Sequence, residues 1–577
     1  MYILEKIKEN IAEKINKALG DASTGSAQGI IQASSLVCPP NSEMGDLSLA
    51  CFQIVKATRK NPAESAGWLM EKLSGKISAI SAVKTAGPYL NFTINKEFLA
   101  EETIREISKQ KEKYGENKIG KGEKVMIEYS NGNTHKEYHI GHLRNICFGE
   151  ATKEILSANG YNVIPVSYIN DFGIHVAKTL WNYLTNKKEW EGSSEDKGYL
   201  LGKIYVDANR REKEETTAKQ MIQLTMKKIE ARQGEEYKLW QETRKWSIDY
   251  FDKIYKELGV KFKKIFYESE FIDEGKKVVA KLLEEGVLKK SEGAIIADFS
   301  EENLGVLVII RSDGTALYPV ADIPLAIEKF EKYKIKKSIY VVDTRQGLYF
   351  KQLAFLLHKI GYKEEIFHLG YEFVKLQSGM MSSRSGNVIT YKELKEKMFE
   401  QSLVETGKRH EDWNKEKIAE AAGKISMGAM KFEMLKVGSD NVITFDIVKA
   451  LSFEGYTAAY LQYTYARIQS IFKKSKIKNK KPKINVKNLF EEKESGLILK
   501  MAKYPEAVRK AGESYDPAEI AKYLFELAQM INDYYHAVSV LKAEEEVKNA
   551  RLAMLSATCQ VLENGLGLLG IEVLEEM

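Results

Sequence analysis

"EYSNGNTHKEYHIGHLRN", residues 128–145, gathers three of the chain's eight histidines within eight positions. A metal site, a packed core cluster and a grip on a phosphate are the readings open to His135, His139 and His142. Zinc prefers cysteine or carboxylate company at workable spacing. "HKEYH" is not the HExxH pattern, in which the acid directly follows the first histidine on a continuous helix. The surroundings favour the phosphate. "VMIEYS" is an apolar strand, "NGN" a loop, and "HLRNICFGEATKEILSANG" a helix that the histidines open. That order sets imidazoles and unpaired backbone N–H groups at a helix N-terminus, where an anion is stabilised. Gly141 lets the backbone approach an adenine ring. His139 and His142 can donate to phosphate oxygens as charge builds on them.

Outward from this stretch, residues 124 to about 400 alternate short apolar runs with amphipathic helices. "VMIEYS", "YNVIPVSYIN", "AIIADF", "GVLVIIR" and "SIYVVD" are the strand candidates. Alternation of this kind predicts a Rossmann-like, doubly wound parallel sheet of the α/β class. Charged helical stretches at about 185–265 read as an insertion between halves of the sheet. Upstream, Leu4, Ile7, Ile11 and Ile15 form the apolar stripe of a first helix, and "VKTAGPYLNFTIN" reads as strand broken by a Gly-Pro turn. Downstream of about 411 strand signals nearly vanish and helical periodicity takes over. The expected domains are an α+β unit at 1–112, the α/β unit at 113–410 and an all-α bundle at 411–577.

The chain has 577 residues, 44% hydrophobic and 29% charged, with 87 basic against 81 acidic side chains. A length of this order implies several cores, and a formal charge of +6 is compatible with a nucleic-acid partner without requiring one. Four cysteines without CxxC pairing read as thiols in a reducing cytoplasm. No run of about 18 apolar residues is present, so no membrane span is expected. "KKSKIKNKKPKINVK", 473–487, holds eight lysines in 15 residues; it reads as a solvated face or a phosphate-backbone contact. "GLGLLG", Gly565–Gly570, matches the dinucleotide fingerprint only in letters, because the chain stops seven residues later.

A second signal lies far downstream: "MMSSRSGN", 380–387, a donor-rich loop able to close over a triphosphate. Together the two stretches resemble the HIGH and KMSKS signatures of the class I aminoacyl-tRNA synthetases, and more closely the arginyl-tRNA synthetase family. The likeness runs nearly end to end, through "SEMGDLSLACFQIVKATRKNPAESA", "GYNVIPVSYINDFG", "RSDGTALYPVADI", "IYVVDTRQ" and "FEGYTAAYLQYTYARI". The resemblance implies ATP and Mg²⁺, L-arginine and tRNA(Arg) as partners, and a monomer. It assigns the nucleotide to His139, Gly141, His142, Met381, Ser382 and Ser383, with Lys136 and Arg384 supplying catalytic charge. It assigns arginine to Glu128, Asn133, Tyr318, Asp322 and Gln346, with Asp322 as the principal guanidinium partner. Independently, a planar group with five donors demands such carboxylates and acceptors. Tyr89, Asn91, Tyr460, Gln462, Tyr463, Arg467 and Met577 are the candidate tRNA contacts.

Two departures stand out. "NGN" replaces the family's Ser-Pro-Asn before HIGH. Ser383 stands where KMSKS has its second lysine, and family members lacking that lysine tend to carry another just before HIGH, as Lys136 is here. A small-molecule nucleotidylyltransferase would leave the helical bundle and the second loop unexplained. A tRNA-binding relative without activity would be expected to have lost the histidines or the acids.

Overall fold

The computed structural model describes residues 1–20, 31–376, 389–475, 486–489 and 491–577. The lysine-rich loop at 476–485 and the Met381–Arg384 signature lie outside the described residues.

Five strands carry the site: β1 (Lys124–Glu128), β2 (Asn162–Ile169), β3 (Lys264–Tyr267), β4 (Lys337–Asp343) and β5 (Glu365–Tyr371). They pair in the order β5-β4-β1-β2-β3, all parallel. Chain order reverses between β1 and β4, and the crevice beyond their carboxyl ends is where doubly wound sheets bind ligands. Glu128 ends β1 there, with its Cα opposite Tyr340 on β4 and Val166 on β2.

Two of the expected strands belong elsewhere. "AIIADF" and "GVLVIIR", as Ala294–Phe299 and Gly305–Ile310, join Lys289–Ser291 in a separate antiparallel sheet. Only residues 300–304 connect the two longer strands, far short of the crossover that parallel neighbours require. Their places in the parallel sheet go to β3 and β5, short runs flanked by charges that gave little pattern. The helical insertion runs between β2 and β3, from Ile174–Thr185 through Lys197–Glu214 and Ala218–Glu230 to Gly234–Leu258.

Helix α1 (Ile140–Ala158) follows β1 and its loop, and its buried residues lie all round its circumference. Such a helix belongs in the middle of a molecule. It packs against the sheet on one side and against the helices Lys415–Leu435 and Tyr504–Ser514 on another. The remaining helices that matter below are α2 (Gly234–Leu258), α3 (Pro319–Tyr333) and α4 (Gly347–Lys359).

At the N-terminus, helix Pro62–Leu73 packs on a four-stranded antiparallel sheet, and the Gly-Pro turn closes the hairpin between Ile80–Ala86 and Tyr89–Ile94. Among the described residues the C-terminal region is helical with one exception. Ile443–Phe445 pairs in parallel with Val374–Leu376, so the bundle gives one strand back to the segment beyond β5. Three residues are too few to register as a periodic pattern. The dinucleotide look-alike falls at the end of helix Glu545–Leu568, where Gly570 turns the chain at φ +67°. Among the described residues no helix is long and apolar enough to cross a membrane.

Candidate active site

The loop leaving Glu128 is held by cross-links rather than by regular structure. Ser130, at φ +72°, donates its N–H to the Asn145 side chain on α1. The Asn145 amide donates in turn to the Val341 carbonyl on β4 at 2.7 Å and to the Tyr371 hydroxyl on β5 at 3.0 Å. Gly132 and Asn170 exchange a backbone bond, and Thr134 donates to Asn170.

The three histidines then separate into two kinds. His135 is fully buried, its ring between the hydroxyls of Thr134 and Thr243 at 2.9 and 2.7 Å. Burial pushes its imidazole down to about 3; it is a core residue that ties the loop to α2. His139 is the N-cap of α1 and accepts the Gly141 N–H at Nδ1, 3.1 Å away. His142, one turn on, accepts the His139 N–H at its own Nδ1, 3.2 Å away. Two imidazoles thus close a reciprocal capping box. With each Nδ1 an acceptor, the ring proton sits on Nε2, which is left to donate outward. Burial and the Lys136 ammonium push His139 down to about 4; burial, His139 and Lys136 hold His142 well below the usual imidazole value. Both rings are neutral donors, tilted by 40° with centroids 3.9 Å apart. A Cβ on Gly141 would stand 2.9 Å from the His139 ring, so glycine here makes room for the histidine itself.

A cleft of about 90 Å³ opens over these rings, lined by Asn133, Lys136, Glu137, His139, His142, Tyr205 and Val206. Lys136 therefore does share a site with the two histidines.

A second cluster, at the carboxyl end of β1 and the start of α3, is acidic. Glu128 meets Lys329 of α3 at 2.5 Å, both side chains buried, and Lys329 also donates to the Tyr340 hydroxyl at 3.2 Å. Burial opposes the ammonium, but Glu128 and Tyr340 outweigh it and keep Lys329 charged. Asp322, in the first turn of α3, accepts from the Tyr349 hydroxyl on α4. Burial raises its carboxyl to about 7, with Glu128 adding to the effect and the Tyr349 bond and Lys329 opposing it. Glu268, which starts the helix after β3, is raised to about 8 by burial, then by Asp322 and Asp171. The Tyr168 hydroxyl on β2 is buried close to these acids and has no hydrogen-bond partner. Lys329, Glu268, Tyr349 and Tyr168 escaped sequence reading. Two had a signal: Tyr168 lies within "GYNVIPVSYINDFG" and Tyr349 three residues beyond "DTRQ". Tyr318 and Gln346 are exposed at the N-terminal ends of α3 and α4, the two helices that the Asp322–Tyr349 bond joins.

Among the outer residues the structure makes two corrections. Gln462 is fully buried, its amide donating to the carbonyls of Lys424 and Glu572; it anchors the C-terminal tail and offers nothing to a surface ligand. Asn91 is 4% exposed and lies inside the N-terminal sheet. Tyr89, 45% exposed, stands edge-on to exposed Phe52, which sequence reading passed over. Arg467 stacks on Tyr535 at 3.9 Å and bonds Asn532, which also donates to the Tyr460 hydroxyl. Tyr463 meets Phe453 edge-on, and Met577 packs on the small cluster of Ala421, Ile425, Ala459 and Leu574.

A parallel sheet with a histidine-capped helix at its switch point is the arrangement of a class I aminoacyl-tRNA synthetase. Residues 103–447 match the family model described as tRNA synthetases class I (R), catalytic domain. Flanking it, residues 5–94 match the arginyl tRNA synthetase N terminal domain and 461–577 the DALR anticodon binding domain. The arginine–tRNA ligase of Bdellovibrio bacteriovorus is 34% identical over 98% of this chain and 98% of its own length. That of Clostridium acetobutylicum is 34% identical over 99% and 100%. The solved arginyl-tRNA synthetase of Thermus thermophilus superposes with a TM-score of 0.80 at 26% identity, over 99% of this chain and 100% of that one. The chain belongs to the arginyl-tRNA synthetase family.

Proposed function

We propose that the cleft and the acidic pouch together carry out ATP-dependent ligation of L-arginine to tRNA(Arg), by way of an arginyl-adenylate. Arginine's carboxylate attacks the α-phosphorus of ATP in line and pyrophosphate leaves. A terminal ribose hydroxyl of the tRNA then attacks the activated carbonyl, and AMP leaves. The attacking carboxylate is already ionised, so the first step needs no general base; positioning and charge stabilisation supply its acceleration.

The observation that carries this reading is the paired cap of α1. Both Nε2–H groups of His139 and His142 are free to meet phosphate oxygens at a helix N-terminus. Lys136 adds the positive charge that Ser383 fails to supply. Met381, Ser382, Ser383 and Arg384 retain their nucleotide roles on the family resemblance alone. The cleft presents nitrogen donors and a single carboxylate, Glu137. Among the described residues no group of three acids, histidines or cysteines could hold a metal ion. A lining of nitrogen donors suits Mg²⁺ arriving on the nucleotide, held chiefly by phosphates and water.

In the pouch, Asp322 receives the guanidinium, with Glu128 and Glu268 as further acceptors and Lys329 offsetting one negative charge. Asn133, Tyr318 and Gln346 complete the contacts from the rim. A compact ammonium would leave these planar acceptors unmatched, which rejects lysine without an editing domain. Tyr89 with Phe52, and Tyr460, Tyr463, Arg467 and Met577, are the tRNA contacts of a monomer working in the cytoplasm.

Pyrophosphate exchange run with each standard amino acid, with and without tRNA, tests the whole reading. Exchange is expected with arginine only. Exchange driven by another amino acid would redraw the pouch, and none under any condition would reject the activity.

A further inference from the structure

Helix Lys197–Glu214, part of the insertion between β2 and β3, forms one wall of the histidine cleft. It lies unusually close to the loop before HIGH. A Cβ on Gly202 would stand 2.2 Å from Cγ of Glu137 and 2.8 Å from its backbone nitrogen, so helix and loop meet backbone to backbone. Three residues on, and hence on the same face of the helix, the ring of Tyr205 lies beneath the Lys136 ammonium, 5.3 Å from the centroid. Tyr205 is 9% exposed, and its ring lines the cleft together with Val206. A lysine side chain has four freely rotating bonds, and an aromatic face attracts and orients its charged end.

We propose that Tyr205 is a positioning residue for the activation step, its ring holding the Lys136 ammonium over the place the ATP phosphates take. The insertion thereby sets the cation that replaces the missing lysine of the second signature. This rests on the assignment of Lys136 to the phosphates. The electrostatic reach of Lys136 into both HIGH imidazoles agrees with the placement.

The test is arginine-dependent pyrophosphate exchange by the full chain with tRNA present, in Lys136→Met, Tyr205→Leu, Tyr205→Phe and the Lys136→Met/Tyr205→Leu double variant. Tyr205→Leu is expected to lower kcat by about 3- to 30-fold, the worth of one ammonium–ring contact, with KM for arginine unchanged. Tyr205→Phe, which keeps the ring face, restores the rate. The double variant is no slower than Lys136→Met alone. Should Tyr205→Leu fail to fold, Tyr205→Met fills similar space without a ring. A slow Lys136→Met beside a full-speed Tyr205→Leu, or effects that multiply in the double variant, would overturn the role of Tyr205. A full-speed Lys136→Met would instead remove Lys136 from the phosphates, and the proposal with it.

Discussion

Asp322, the proposed guanidinium partner, is also a titratable group. Its carboxyl is buried at the start of α3 and raised to about 7, chiefly because burial disfavours the charge. A guanidinium reverses that penalty by supplying the opposite charge. Asp322→Asn should therefore raise KM for arginine by at least about 100-fold, the scale for breaking a buried charge pair, while KM for ATP stays put. An unchanged arginine dependence would take Asp322 out of the pouch. The raised values of Asp322 and Glu268, about 7 and about 8, also set a pH dependence. Both acids are protonated at pH 6, Asp322 ionises around pH 7 and Glu268 around pH 8, and only the ionised acids attract a guanidinium. KM for arginine should fall as pH rises across that window, and calorimetry in buffers of different ionisation heat should record proton release on binding. A flat profile would show that the acids are ionised before arginine arrives. The sign for stability is the opposite. A carboxyl whose folded value lies above its unfolded value stabilises the fold most at low pH, and that contribution is lost as pH climbs from about 4 to about 7 or 8. Over that range the ligand-free protein should lose stability relative to Asp322→Asn.

Helices in this molecule are placed by what their ends bind. α1 begins on a histidine cap and closes with Asn159. α2 ends where Gly259 turns left-handed at φ +72°, and there Lys431 of the bundle donates to the Leu258 carbonyl at 2.8 Å. The same ammonium donates to the Gly570 carbonyl, just past the final helix, at 2.6 Å. One lysine thus satisfies two helix ends that attract positive charge. Burial lowers its own basicity, which the neighbouring Cys147 and Glu150 partly counter. Lys431→Met leaves both carbonyls without that donor. It should cost about 1.5–3 kcal/mol, the usual worth of hydrogen bonds to a charged group, read from urea unfolding. A loss below about 0.5 kcal/mol, the range of an inconsequential surface change, would mean that water serves the carbonyls equally well.

Across the whole molecule, α1 is where three regions meet. Asn159 accepts from Asn117, in the segment leading to β1, at 2.8 Å and donates to Val508 of the bundle at 3.0 Å. A Cβ on Gly512 would stand 2.4 Å from its amide nitrogen, so helix Tyr504–Ser514 is seated directly on that side chain. Nearby, the rings of Tyr114 and Tyr504 stack 6.0 Å apart, and the Tyr2 hydroxyl accepts the Gly115 N–H and donates to the Glu116 carbonyl. These contacts hold the N-terminal unit and the bundle against one helix. Asn159→Ala should destabilise the chain by about 2–3 kcal/mol, since it leaves buried groups without partners. Amide exchange should then rise together in the last turn of α1 and in Tyr504–Ser514. Faster exchange in only one of them would show that Asn159 does not join the two.

What the sequence determined by itself is local in character: a strand, a glycine-bearing loop and a histidine-capped helix follow from residues 124 to 158, because period, punctuation and capping act over a few residues. The identity of the family followed from motifs in fixed order. The assignment of Ala294–Phe299 and Gly305–Ile310 to their own antiparallel sheet came only from the tertiary structure, since an apolar run does not specify its neighbour. So did the burial of Asn91 and Gln462, whose polarity alone marks them for a surface. The separation of His135 from its two companions, the Glu128–Lys329 pair across 201 positions and the Tyr205 ring beneath Lys136 are likewise decided by packing. Contacts between distant segments depend on which surfaces the fold brings together, and no local pattern encodes them.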